Sequence, residues 1–352
     1  MRKGYVTDMA ERIELPQGAG GSETASLIKK YILPNFHQPD MEIPLDALDD
    51  AAVIDGIVFT TDSHTVKPIF FPGGDIGMLA VAGTINDVAV MGAKPIALSA
   101  GFIIEEGFLM NELEEIIKSM GKLSSEAGVP IVTGDTKVVE KGSIEQIIIN
   151  TAGIGVGSEL LSRNMEYVGR GKKWLQDSSL QPGDKILLSG KIADHGIAII
   201  SFREGYGFDT KIKSDVAPVN GLMEECLKVK GVVAAKDPTR GGLSNALNEM
   251  AEKSGVGMLI DEERIPINEG TMAACEMLGI DPYNIGNEGK VVMGVVEDKA
   301  EEMLKAMRKH PLGRDAEIIG EVTEGKHVIL ETSVGGKRIL EAPIGDPIPR
   351  IC

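Results

Sequence analysis

The sequence predicts two α/β or α+β units, with an arm before them and an extended tail after them. Three observations carry that expectation. In both halves of the chain short apolar runs of strand length alternate with longer stripes at helical spacing, the helical stripes stop at glycines, and a glycine-rich, then charged, stretch lies between the halves. With 352 residues, 43% of them apolar, the chain can fill a core in each of two domains.

Residues 1–44 read as an arm, with a glycine cluster at Gly18, Gly20 and Gly21 followed by a helix-like patch through Leu27, Ile28 and Ile32. The first unit, residues 45–160, opens with apolar runs at 51–54 and 57–61 around Asp55-Gly56, a two-residue hairpin signal. Residues 76–91, rich in small and apolar side chains and closed by Gly92, read as a buried helix. A strand at 96–104 follows, then a helix through Leu113, Ile116, Ile117, Met120 and Leu123 to Gly128, then strands at 131–133 and 144–154. Gly153, Gly155 and Gly157 with the charged run 163–177 mark the boundary. The second unit, residues 161–341, has strands expected at 186–188, 232–235, 256–260, 291–296 and 317–322, and helices at 243–251, 269–277 and 299–308. Residues 342–352 are a tail in which Pro343, Pro347 and Pro349 exclude a helix and favour extended geometry. The tail closes on Cys352, one of three cysteines, and its eleven residues at roughly 3.1 Å each carry that thiol on the order of 30 Å.

Charge and composition exclude several function classes. A formal charge of -17, from 53 acidic and 36 basic residues, argues against an electrostatic nucleic-acid binder and against an anionic membrane surface. No apolar stretch approaches membrane-spanning length and the first residues lack the apolar core of a signal peptide, so a cytoplasmic protein is expected. Three cysteines make no disulfide framework, and Cys226 and Cys275, in helix-like stretches without a Cys-x-x-Cys partner, read as small core residues.

Several acids stand in apolar or glycine-rich surroundings: Asp49, Asp50, Asp62, Asp87, Asp135 and Asp237. An ionised carboxylate in such a place is costly unless compensated. Magnesium together with a phosphate ester is an economical compensator, because that ion takes one or two carboxylates and completes its shell with water and substrate phosphates. Taken singly, each Asp reads equally as a cap or turn residue. Gly134-Asp135-Thr136-Lys137 and Asp237-Pro238-Thr239-Arg240-Gly241-Gly242 each read as a charge in a tight glycine turn, where backbone donors and a cation face a phosphate. Neither of the common nucleotide fingerprints is present.

Taken together, Asp49-Asp50-Ala51-Ala52-Val53, Thr61-Asp62-Ser63-His64, Phe71-Pro72-Gly73-Gly74-Asp75-Ile76-Gly77, Asn86-Asp87-Val88, Gly134-Asp135-Thr136-Lys137, Asp237-Pro238-Thr239-Arg240-Gly241-Gly242 and Asn287-Glu288-Gly289-Lys290 resemble the ATP-binding superfamily of aminoimidazole ribonucleotide synthetase and selenophosphate synthetase. The closing Pro349-Arg350-Ile351-Cys352 narrows the resemblance to the HypE family of [NiFe]-hydrogenase maturation factors. It implies a two-domain PurM-like fold, with the first domains of two chains pairing into a barrel, ATP bound near that interface, and a flexible tail. It also implies ATP-driven dehydration of a carboxamide on Cys352 to an S-cyanate, the source of cyanide ligands for hydrogenase iron. The implied cofactors are ATP and Mg2+; the implied partners are a carbamoyltransferase, HypF, that loads Cys352, and an iron-carrying HypC-HypD scaffold that accepts the cyanide.

By the same resemblance, Asp50, Asp62, Asp87 and Asp237 are candidate magnesium or phosphate ligands, and Asn86, Gly134, Asp135, Thr239 and Arg240 candidate nucleotide contacts. Glu288 and Lys137 are expected beside the docked tail, Glu288 as general base and Lys137 as charge stabiliser or second proton acceptor, with a simple ion pair as the competing reading. Gln17 stands where the family usually has His before the glycine cluster, so that cluster is assigned no catalytic role. The segment 164–178 is longer than usual and is expected to be a surface elaboration near the domain junction. Two other enzymes of the superfamily compete. Selenophosphate synthetase needs an early cysteine, whereas the first here is Cys226, and thiamine monophosphate kinase leaves the tail unexplained. A non-catalytic adaptor is the reading from another class.

Overall fold

Gly20, with φ near +83°, turns the chain into α1 (Gly21–Leu27), the first α-helix among the residues that a computed structural model describes, 12–18, 20–37, 39–205, 212–344, 348 and 351. Asp55 and Gly56, both at positive φ, form the tight turn between β1 (Ala52–Ile54) and β2 (Ile57–His64), as the dipeptide predicts. The short pair β3 (Phe70–Phe71) and β4 (Gly74–Asp75) leads into α2 (Ile76–Val90), whose N-cap is Asp75 accepting from the N–H groups of Gly77 and Met78. β5 (Lys94–Glu105), α3 (Met110–Ala127), β6 (Ile131–Val139) and β7 (Ile147–Val156) complete the first sheet, in the order β1-β2-β7-β5-β6. α2 is buried on nearly every side, between the inner face of β2 and β7 and elements of the second unit.

α4 (Glu159–Val168), β8 (Lys185–Leu188), α5 (Asp194–Arg203), α6 (Asn220–Val229), β9 (Val232–Lys236), α7 (Gly242–Ser254), β10 (Gly257–Asp261) and α8 (Glu269–Leu278) follow. The chain continues through β11 (Val292–Val295), α9 (Ala300–Met307), β12 (Glu317–Thr323), β13 (Val328–Glu331) and β14 (Lys337–Ile339). Among the described residues the strands of this half form one mixed sheet in the order β14-β13-β10-β12-β8-β11-β9. One apolar cluster joins the halves: Val53, Val88 and Met91 from the first pack with Leu222, Cys226 and Met293 from the second.

Four expectations are corrected. Gly153 and Gly155 are not linker residues. They lie within β7, where a Cβ would sit 2.8 Å from Thr84 and 2.3 Å from Val88, so their bareness lets α2 lie directly on the sheet. Gly134 to Lys137 form no turn; they are mid-strand in β6, and Gly134 is bare because a Cβ would sit 2.1 Å from the Ala100 carbonyl oxygen. The segment 164–178 is no surface elaboration. Asn164 exchanges hydrogen bonds with the backbone of Val232, Trp174 and Leu175 are buried, and Asp177 is 2% exposed. The tail is anchored at Ile348 and Ile351, both buried; Cys352 lies outside the described residues. α5 escaped the sequence reading because it is buried from His195 to Ile200 and carries no amphipathic stripe.

Candidate functional site

Along β2 the side chains alternate, so that Val58, Thr60, Asp62 and His64 turn inward toward α2 while Ile57, Phe59 and Thr61 face out. α2 meets this row with a glycine. A Cβ at Gly83 would lie 3.2 Å from His64 Cε1, 3.3 Å from Asp62 Oδ2 and 4.0 Å from Glu288 Oε2, so three polar side chains converge on space the missing side chain leaves. One turn later Asp87 accepts from Thr60 Oγ1 at 2.8 Å. These residues line a cleft of about 400 Å³ together with Asp50, Asp237, Thr239, Arg240 and Glu288.

The far wall comes from the second unit. β9 ends in Lys236, whose Nζ lies 2.5 Å from Asp50 Oδ1 and 3.2 Å from both Asp177 Oδ2 and Glu249 Oε2. Asp237 follows, and Gly241 and Gly242, both at positive φ, turn the chain into α7; at Gly242 a Cβ would sit 2.6 Å from two carbonyl oxygens. The N-terminus of α7 therefore opens beside the cleft, with Thr239 and Arg240 on its lip, a geometry suited to phosphate. Gly20 and Thr24 of the arm close the cleft from above, and Arg240 Nη1 donates to the Gly18 carbonyl at 3.3 Å. Gln17 is occupied locally, accepting from Glu14 N–H.

Glu288 is held through its backbone. Its N–H donates to Asp215 Oδ1 at 3.0 Å, and its carbonyl accepts from Ala217 N–H and from Asn86 Nδ2. Asn86 also donates to Ala217 O and accepts from Val219 N–H, so its amide is spent on backbone, and it positions the Glu288 loop instead of lining the cleft.

The electrostatics are those of a site short of positive charge. Burial, then the neighbouring carboxylates Asp237, Asp215 and Asp62, push Glu288 well above the ordinary glutamate range. Burial and Asp62, Asp237 and Asp50 do the same to Asp87. Asp50 is raised by burial despite the Lys236 ammonium, and burial lifts Asp237 to about 6. Asp237 Oδ2 is buried without a hydrogen-bond partner. An orphaned carboxylate oxygen among three more acids fits a hard divalent cation. Among the described residues no three His, Cys, Asp or Glu side chains are grouped closely enough to hold a metal ion by themselves.

The structure thus brings Asp50, Asp62, Asp87, Asp237, Thr239, Arg240 and Glu288 into one cleft. It does not bring Gly134, Asp135 or Lys137 there within one chain. β6 is the far edge of the sheet, three strand spacings from β2, or roughly 14 Å. Its register sets Asp135 beside Gly101 and Lys137 beside Ile103, on the outer face. Sequence reasoning missed Gly83, Lys236 and Glu249. It quoted His64 without a role, although the Thr60-x-Asp62-x-His64 period marked it.

The comparisons with known proteins agree with this geometry. The AIR synthase related protein N-terminal domain matches residues 48–157, and the corresponding C-terminal domain matches residues 181–333. The chain is similar to carbamoyl dehydratase HypE of Azotobacter vinelandii, at 46% identity over 97% of each chain. Among solved structures, it resembles a chain from a HypE-HypF complex with TM-score 0.83 at 48% identity, covering 90% of this chain and 100% of that one. It also resembles HypE in complex with ATP, with TM-score 0.79 at 41% identity, covering 96% and 99%.

Proposed function

Since the chain belongs to the HypE family of carbamoyl dehydratases, we propose that the acidic cleft between its two units is where ATP and the tail thiol meet. The reaction is dehydration of the S-carboxamide on Cys352 to an S-cyanate, supplying cyanide for the iron of [NiFe]-hydrogenase. The carboxamide oxygen attacks the γ-phosphorus and ADP leaves. One proton is lost from nitrogen to give an imidoyl phosphate. The second proton and phosphate then depart, and the C–O bond breaks as the nitrile forms. ATP, carboxamide and products balance as ADP, phosphate, nitrile and one net proton.

The observation that carries this reading is the convergence of Asp50, Asp62, Asp87, Asp237 and Glu288 beside the N-terminus of α7. Asp50, Asp62, Asp87 and Asp237 are the proposed holders of Mg2+, which supplies charge neutralisation at the transferring phosphate. Thr239, Arg240 and the α7 N-terminus bind phosphate. Glu288 is the base: a carboxyl held above its ordinary range is a stronger proton acceptor once ionised. Lys137, with Gly134 and Asp135, reaches the site from a second copy. That homodimer is supported by the exposed apolar face formed by Ile57, Phe59, Ile103 and Ile154, which suits pairing into a barrel. The arm, residues 1–44, the units 45–160 and 161–341, and the tail 342–352 are the proposed divisions. HypF, the partner in the similar complex, loads Cys352, and a HypC-HypD scaffold takes the cyanide. No described helix is long and apolar enough to cross a membrane, and a cytoplasmic setting suits chemistry that starts from a free thiol.

The test uses carbamoylated protein with ATP and Mg2+, followed by mass spectrometry of the tail. Cys352 should lose one water as ADP and phosphate appear. Glu288→Gln should bind ATP but stall with carboxamide or phosphorylated intermediate. Nitrile formation by Cys352→Ala protein, or at the normal rate by Glu288→Gln, sinks the reading.

A further inference from the structure

Ile348 and Ile351, the two described residues nearest the thiol, are 0% and 2% exposed and belong to the cluster that contains Ile197, Ile200 and Ile285. Their seat is made by two glycines. A Cβ at Gly196 would lie 3.3 Å from Ile348 Cδ1 and 3.6 Å from Ile351 Cδ1, and one at Gly286 would lie 3.0 Å from Ile351 Cδ1. Gly286 stands two residues before Glu288, so the penultimate residue of the chain packs against the segment that carries the proposed base.

An apolar seat alone fixes a register weakly, because hydrophobic contact is not directional. The polar contact is directional. His195 of α5 is wholly buried, and its Nε2 lies 2.8 Å from the carbonyl oxygen of Ile351. A carbonyl only accepts, so Nε2 bears a proton and donates it. Burial lowers the His195 pKa and favours the neutral ring, which leaves Nδ1 to accept from the Ser214 hydroxyl at 2.8 Å. Ser214 Oγ accepts in turn from Val216 N–H at 3.1 Å. Phe71 closes one side edge-on, its ring centroid 5.7 Å from that of His195. His195 does not line the acidic cleft, and both its nitrogens are engaged. The same loop sends Asp215 to the N–H of Glu288, so one stretch of backbone serves both the tail and the base.

We propose that His195, oriented by Ser214, is the positioning residue that docks the tail by holding the carbonyl of the residue before Cys352. It sets the balance between a tail seated for dehydration and a tail released for loading. This rests on the reading that Cys352 carries the carboxamide. A single buried neutral hydrogen bond biases such a balance by roughly three- to tenfold, enough to favour docking and little enough to permit release.

The experiment uses the full-length protein and two measurements: alkylation of Cys352 by iodoacetamide, and single-turnover conversion of carboxamide to nitrile over a range of ATP concentrations. Cys226 and Cys275 are buried, and burial pushes both thiols up to about 12, so the tail thiol reacts selectively. In His195→Ala, alkylation should accelerate and the conversion rate should fall, each by roughly three- to tenfold, with the ATP concentration at half-maximal rate preserved and HypF-dependent loading no slower than in the parent protein. Ser214→Ala should move both in the same direction by less. His195→Gln, which keeps an amide donor, should recover toward the parent protein. Parental alkylation rates in folded His195→Ala overturn the proposal, even if conversion falls, because the defect then lies elsewhere. Should His195→Ala not fold, half-buried Ser214→Ala decides on the same criterion. If the parent protein makes no nitrile, the functional reading fails, while alkylation still decides the docking role.

Discussion

Asp237 concentrates the energetics of the cleft in one side chain. Its carboxyl is lifted by burial from 3.8 to about 6, and one of its oxygens is buried without a partner. The folded protein therefore keeps a proton that the unfolded chain releases. The stability this confers is present below about pH 4 and is lost as pH rises through about 6, a swing of roughly 3 kcal/mol. A cation that binds the ionised group offsets the loss. Thermal scans should show Mg2+ raising Tm more at about pH 7.5 than at about pH 5, and Asp237→Asn should shrink both the pH slope and the Mg2+ increment. Equal increments at the two pH values would count against Asp237 as a ligand. The sequence singled this residue out only together with the other acids in apolar or glycine-rich surroundings, because alone it reads equally as a cap or turn residue before Pro238. It did not expose Lys236 one position earlier, whose partners Asp50, Asp177 and Glu249 are distant in the chain or hidden on another element.

α2 and the segment 164–178 show what sequence does and does not reveal about elements. The helix was legible because it is rich in small and apolar residues and stops at a glycine cap, yet which of its glycines matters was not, since that depends on side chains arriving from β2 and from the Glu288 loop. Gly83→Ala separates stability from function. Alanine favours a helix interior by about 1 kcal/mol, while its Cβ crowds His64 and Asp62 at 3.2 and 3.3 Å. The variant should keep or slightly raise Tm and lose about tenfold in nitrile formation, the crowding falling on the reacting side of the cleft. Parental activity would show that the bare position is only a packing device. The segment 164–178 was misread as surface because its charges look solvated until their partners are known. Asp177 lies 2.7 Å from Lys253 and 3.2 Å from Lys236, and these ammonium groups outweigh burial and hold its carboxyl below the ordinary range. Removing its charge leaves two partly buried ammonium groups short of a partner. Asp177→Asn should therefore cost about 3 kcal/mol in a denaturant titration, and an unchanged midpoint would demote the network to a surface feature.

The whole molecule leaves one proposed catalytic group stranded. Glu288 sits in the cleft, but Lys137 lies on the outer face of the edge strand β6, with two strands between it and β2. That same face exposes Ile57 at 44% and Phe59 at 48%, more apolar surface than a solvated sheet needs. The proposed two-fold dimer through this face would bring the Lys137 of one copy to the cleft of the other and would account for both facts at once. Mixing two inactive proteins tests it. Lys137→Ala and Glu288→Gln homodimers each lack one group at every site. In a mixed dimer one cleft receives the intact Glu288 of the first chain and the intact Lys137 of the second, while the other cleft lacks both. Random re-pairing makes about half the dimers mixed, each with one intact site of two, so nitrile formation should return to about one quarter of the parental level. If Lys137 served the cleft of its own chain, or had no catalytic role, mixing would restore nothing beyond the sum of the separate proteins. Both variants keep Cys352, so the recovery does not depend on which tail enters the rebuilt site.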